Sequence, residues 1–203
     1  MRLAAQSRRA QTAARSYCAV LAWMLAAGGL PATASADEAK RVAPYAVSQD
    51  SVVDAMLTLA GVSAGDYVVD LGSGDGRLVI AAAKKFGARG LGVDIDARLV
   101  ATARSQAESA GVADRVHFRE QDLFETDLAQ ASVVTVYLFP SIMDKVGRKL
   151  DAELAPGTRV VSHDFPIPGW RIERIESLDV PEKRDYTWNE RATLYYYRMP
   201  ARR

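Results

Sequence analysis

A helical period first appears in "SQDSVVDAMLTLAGV", where Val52, Val53, Met56, Leu57 and Ala60 share one face. Ser48 or Asp50 is placed to cap that helix and Gly61 to stop it. From there the pattern alternates. "YVVDL" reads as a buried strand and "GRLVIAAAKKFG" as a helix ended by Gly87. "RGLGVDI" is a strand, and "DARLVATARSQAESAG" a helix capped by Asp96 and stopped by Gly111. The strand "RVHFRE", a short segment around "LFETDLAQA", the strand "SVVTVYLF", the helix "SIMDKVGRKLDAEL" and the strand "TRVVSHDF" continue the series. Near-continuous apolar strands joined by helices require a sheet covered on both faces. The last two runs, "WRIERIESLDV" and "ATLYYYRM", have no helix between them and predict an antiparallel pair. The expected fold is α/β and Rossmann-like: a doubly wound, mostly parallel seven-stranded sheet with an antiparallel C-terminal strand pair.

Upstream of this domain the pattern changes. "MRLAAQSRRAQTAAR" is basic, "SYCAVLAWMLAAGGL" is apolar and uncharged, and "PATASA" ends in small residues. That order predicts a signal peptide over 1–36, cut before Asp37, and an exported protein of the periplasm or cell envelope. An uncleaved membrane anchor and a mitochondrial presequence are the alternatives. Residues 37–47 read as an N-terminal arm and 48–203 as the domain. The chain carries 26 basic and 25 acidic residues. Residues 1–36 hold four arginines and no acid, which leaves 22 basic against 25 acidic residues, a net −3, for the remainder. A slightly acidic domain has no global field for nucleic acid, and no nucleic-acid partner is expected. The single cysteine, Cys18, lies in the leader, so the remainder has neither a disulfide nor a cysteine metal site. No metal is expected.

Candidate chemistry concentrates in "DLGSGDGR", directly after the first strand, and in Asp94 at the end of the second. In an open parallel sheet, ligands bind outside the carboxyl ends of the strands, where strand order reverses. Glycines there allow positive φ and a close backbone approach. Asp94 is placed to accept hydrogen bonds from a ribose diol. A dinucleotide fingerprint, G-x-G-x-x-G, needs its third glycine at position 77, where this chain has Arg77. Asp75 moreover sets a carboxylate in the loop, which penalises a pyrophosphate and tolerates a cationic ligand.

The ordered set Asp70-x-Gly72-x-Gly74-x-Gly76, then Gly92-Val93-Asp94, resembles the cofactor site of class I S-adenosylmethionine-dependent methyltransferases. With "PYAVSQDSVVDAML", "QDLFETDL", "VVTVYLFP" and "VVSHDF", it resembles the small lysine methyltransferases related to those acting on mitochondrial ATP-synthase c subunit and adenine-nucleotide translocase. The resemblance implies S-adenosylmethionine as cofactor. Gly72, Ser73, Gly74 and Gly76 would line its methionine and ribose part, with Asp70 anchoring the loop near the ammonium. Asp94 would hold the ribose, Ile95 would pack on the adenine, and Asp122 would meet the adenine amino group with Leu123 beside it. Tyr45, in the arm, would fold over the cofactor. A helix cap at Asp122 and simple packing at Tyr45 are the plainer alternatives.

The acceptor is expected at the end of the fourth strand, where "YLFP" stands in place of the Asn-Pro-Pro-Tyr type of sequence that binds planar amides and nucleobases. Tyr137, Phe139 and Pro140 suit a narrow aromatic slot for an alkylamine, although strand-end aromatics also serve as ordinary core. His163 and Asp164 end the fifth strand on the same edge. They are weaker candidates, and a structural histidine is the plainer reading. The expected activity is methylation of a protein lysine. The alternatives are a small amine or another protein group as acceptor, or a non-catalytic envelope protein that binds an S-adenosyl ligand.

Overall fold

The computed structural model describes residues 48–181, 183 and 190–201. Helix α1 (Asp50–Leu59) precedes β1 (Tyr67–Leu71), α2 (Arg77–Phe86), β2 (Arg89–Asp94), α3 (Ala97–Ser109) and β3 (Val116–Glu120). A 3-10 turn (Leu123–Glu125) leads to β4 (Val133–Val136), α4 (Pro140–Glu153), β5 (Arg159–His163), β6 (Arg174–Asp179) and β7 (Arg191–Arg198). The seven strands form one sheet in the order β3-β2-β1-β4-β5-β7-β6. The first five run parallel, and β7 inserts antiparallel between β5 and β6. Strand order therefore reverses between β1 and β4, and the crevice lies at their carboxyl ends.

Both faces of the sheet are covered because its central strands alternate between two apolar layers. Val69, Leu71, Val134 and Val136 pack with Met143, Val146 and Leu150 of α4 on one face. Val68, Val133 and Val161 pack with Val52, Met56 and Leu57 of α1, and with Leu78 and Ala82 of α2, on the other. Each fully buried valine, leucine or methionine among these contributes about 1.5–3 kcal/mol of transfer free energy. Helix α3 presses Val100, Ala103 and Ala107 against Val116 and Phe118 of β3.

Two local expectations are corrected. Neither Ser48 nor Asp50 caps α1: Gln49 is the N-cap and makes no side-chain cap bond. The Ser48 hydroxyl is committed elsewhere, 3.1 Å from His163 Nδ1. The fourth strand ends at Val136, three residues short of Phe139, because Phe139 is already the N-cap of α4 and Pro140 its first turn. A proline has no N–H for the ladder and its fixed φ suits a helix start. The predicted caps at Asp96 and Gly87 do form: Asp96 accepts from the Arg98 N–H, and Gly87 closes α2 at φ 72°.

Candidate active site

The loop after β1 turns on three glycines with positive φ, Gly72 at 82°, Gly74 at 54° and Gly76 at 79°. The loop is pinned to β2: the Gly72 and Ser73 N–H groups both donate to the Val93 carbonyl at 2.9 Å. Asp94 braces it further, accepting the Gly74 N–H on one carboxylate oxygen and the Asp96 N–H on the other, each at 2.9 Å. A carboxylate offers about four lone-pair sites, and Asp94 is only half-buried, so capacity remains for a diol. The loop is also tight beneath. A Cβ at Gly76 would lie 2.6 Å from the Phe118 ring, and one at Gly92 would lie 2.6 Å from Ser73 Oγ.

These residues fit an S-adenosyl cofactor. Ser73 Oγ is buried with no hydrogen-bond partner among the described residues, a vacancy for one polar ligand atom. Asp70 is buried and accepts from Thr135 Oγ1 at 2.7 Å. Burial drives its pKa up to about 7 against the opposing Thr135 bond, and the Asp94 and Asp75 charges add to the rise. A cation placed here relieves that penalty, whereas an anion deepens it. Asp75 itself departs from expectation. Its carboxylate does not stand open in the loop but pairs with the Arg77 guanidinium through Nε at 3.0 Å and Nη2 at 2.6 Å. Preference for a cationic ligand therefore rests on Asp70 and Asp94.

Asp122, expected to meet the adenine, is exposed and caps the 3-10 turn by accepting from the Phe124 N–H at 2.8 Å. That uses one of its two oxygens. Leu123 is buried and Ile95 half-buried, so both are placed to form an apolar wall. Tyr45 lies outside the described residues, as do the leader and the arm.

The acceptor edge brings together the ends of β4, β5 and β7. Tyr137 is half-buried, and its ring lies 3.9 Å from that of His163, tilted by 30°. Its hydroxyl reaches Asp164 Oδ2 at 3.4 Å. Asp164 has φ 62°, and among the described residues no other non-glycine has positive φ. Such a conformation is sparsely populated and persists only where neighbours enforce it. Here Thr193 does so: the Asp164 N–H donates to the Thr193 carbonyl at 2.7 Å, and the Thr193 N–H donates to Asp164 Oδ1 at 3.1 Å. The buried Lys183 places its ammonium on Asp164 Oδ2 and on the Arg191 carbonyl. His163 is buried, and burial depresses its pKa to about 4, against the Asp164 charge and with the Lys183 charge. It is neutral at neutral pH.

The aromatic slot is thus arranged differently from expectation. The ring stacked on Tyr137 is His163, while Phe139 is exposed and Pro140 sits on the surface in the first turn of α4. Thr135, Lys183, Thr193 and Ser48 escape a reading of the sequence. Thr135 left a signal, as the one polar residue in the buried strand "VVTV"; the other three stand far along the chain from the groups they bind.

Residues 70–174 match the family described as the ANTKMT methyltransferase domain. A protein-lysine N-methyltransferase of Saccharolobus islandicus is 41% identical over 137 residues, which cover 67% of this chain and 85% of that protein. The adenine nucleotide translocase lysine N-methyltransferase of Mus musculus is 37% identical over 145 residues, 71% of this chain and 61% of the mouse protein. Among solved structures, an RNA methyltransferase from Salinibacter ruber in complex with S-adenosyl-L-homocysteine superposes with a TM-score of 0.69. It is 46% identical, over 78% of this chain and 96% of that one.

Proposed function

The chain belongs to the ANTKMT methyltransferase family, and we propose that its acceptor is the ε-amino group of a protein lysine. The observation that carries this reading is the pairing at the acceptor edge. Beside an aromatic ring, at the carboxyl ends of β4 and β5, a carboxylate already holds a primary ammonium, that of Lys183 against Asp164. The lysine methyltransferases among the relatives support the same acceptor.

S-adenosylmethionine, when bound, supplies an electrophilic methyl group on a cationic sulfur. The glycine loop, Ser73 and Asp94 would hold it, and the ionised Asp70 would face its positive charge. The remaining task of the chain is alignment and exclusion of water. The Tyr137 and His163 rings desolvate the incoming amine, which lowers its pKa, so that it enters neutral with its proton left to solvent and its nitrogen lone pair free. His163 is a poor base for this proton, because burial depresses its own pKa to about 4.

Incubation of the protein with S-adenosylmethionine and lysine-bearing proteins, read by mass spectrometry, tests the acceptor. Methyl-lysine is the expected product. A second reading, transfer to RNA, is raised by the Salinibacter neighbour, and labelled methyl appearing in RNA and not on lysine would replace the first. We also propose that residues 1–36 export the domain. Amino-terminal sequencing of native protein should find Asp37 or a residue close to it, and an intact start would overturn this.

A further inference from the structure

Ser48 stands between the two halves of the site. Its carbonyl accepts from Arg77 Nη1 at 3.0 Å, and Arg77 is fixed to Asp75 of the glycine loop. Its hydroxyl lies 3.1 Å from His163 Nδ1, and the His163 ring lies against Tyr137. A continuous chain of contacts therefore runs from the cofactor loop through Arg77, Ser48 and His163 to the acceptor aromatic. The second ring nitrogen, His163 Nε2, is buried without a hydrogen-bond partner among the described residues; Asp164 Oδ2 lies 3.6 Å away. The ring is thus held by one hydrogen bond and one stacked neighbour, so the Ser48 bond decides its orientation.

We propose that Ser48 and His163 are a positioning pair that sets Tyr137 at the acceptor edge and ties it to the cofactor loop. This deepens the acceptor reading above and rests on it for the role of Tyr137. Neither residue is required to touch the reacting atoms. Ser48 orients the imidazole, the imidazole orients the phenol ring, and the phenol hydroxyl shares Asp164 Oδ2 with the cation that Asp164 holds. Because Ser48 is also fastened to Arg77, a ligand that orders the glycine loop acts on the same chain of contacts.

The full chain has two histidines, the exposed His117 and the buried His163, so nitrogen NMR of histidine-labelled protein resolves the pair without ambiguity. S-adenosylhomocysteine should move the His163 ring signals in the unaltered protein and leave those of His117 in place. In Ser48→Ala that response should disappear, and in Ser48→Thr, which keeps the hydroxyl, it should remain. In a lysine-peptide transfer assay Ser48→Ala should raise the KM for peptide roughly five- to tenfold, the worth of one hydrogen bond, with a much smaller change in the KM for cofactor. Ser48→Thr should restore it.

An unaltered protein whose His163 signals ignore S-adenosylhomocysteine overturns the tie. So does a Ser48→Ala protein with an unchanged response and unchanged peptide KM, or one that melts earlier and loses peptide and cofactor affinity alike. Should Ser48→Ala fail to fold, Ser48→Val, matched in shape to Ser48→Thr, carries the same comparison. A protein that transfers nothing to lysine yet shows the hydroxyl-dependent His163 response supports the pair while removing the lysine reading. Transfer to lysine without that response does the reverse.

Discussion

Asp70 and His163 are buried on opposite halves of the site with pKa values displaced in opposite directions, and their effects on stability should cancel. The Asp70 pKa rises from 3.8 to about 7 on folding, mainly through burial. The native protein then keeps a proton that the unfolded chain releases, so stability from this group falls as pH rises from about 4 to 7. The His163 pKa drops from 6.5 to about 4, again mainly through burial. The unfolded chain takes up a proton that the native state refuses, so stability from this group is lost as pH falls from 6.5 towards 4. At about 1.4 kcal/mol per pH unit, the two amount to roughly 4 and 3 kcal/mol, and over the shared window they offset. Asp70→Asn removes the first effect. Its amide oxygen still accepts from Thr135, and stability relative to the unaltered protein should climb by up to about 3 kcal/mol between pH 4.5 and 6.5. His163→Phe keeps a ring against Tyr137 and removes the second, so relative stability should fall by a similar amount over the same range. Urea unfolding at closely spaced pH values reads both, and contributions common to all three proteins cancel in the differences. A variant that runs parallel to the unaltered protein would refute the reasoning for its group, because that group would then titrate as it does in the unfolded chain.

Asp94→Ala leaves the Gly74 and Asp96 N–H groups without their acceptor and would remove the proposed ribose contact; calorimetry should show S-adenosylhomocysteine binding weakened by about 1–3 kcal/mol, with no NAD binding in either protein. Gly76→Ala forces a side chain into positive φ and against Phe118, so thermal or chemical unfolding should register a loss of about 2–5 kcal/mol. Tyr137→Ala should reduce transfer on the order of a hundredfold through lost alignment while cofactor affinity holds, whereas Phe139→Ala, exposed at the start of α4, should change transfer less than threefold. A transfer assay run beside calorimetry separates the two positions, and equal losses at both would restore the two-ring slot.

The cofactor half of this site was legible in the sequence because its parts are local. Asp70, Gly72, Ser73, Gly74 and Gly76 occupy one turn, and Asp94 lies where the adjacent parallel strand must end, so a strand-turn-helix reading brings them together before any packing is known. What that reading misjudged was charge. Asp75 looks like an open carboxylate until the fold places Arg77, two residues on, across both of its oxygens. The strand "SVVTVYLF" is shorter than its apolar pattern predicts, because apolar character continues to Phe139 while the ladder stops at Val136, ahead of the helix that Pro140 opens.

The acceptor half has no such locality. Ser48, Tyr137, His163, Lys183 and Thr193 come from five separated stretches, and the helix-start position of Ser48 made capping the obvious use of its hydroxyl. Antiparallel insertion of β7 beside β5 is what changes this, since the register His163 with Leu194 sets Thr193 next to Asp164. The backbone cost of a left-handed aspartate, about 1–2 kcal/mol, is met by that pair of hydrogen bonds and by Lys183. A strand whose sequence reads as tyrosine-rich packing thereby fixes the carboxylate that holds Lys183 and the Tyr137 hydroxyl at the proposed acceptor edge. Variation along β7 near Thr193 is then expected to retune the acceptor edge through Asp164.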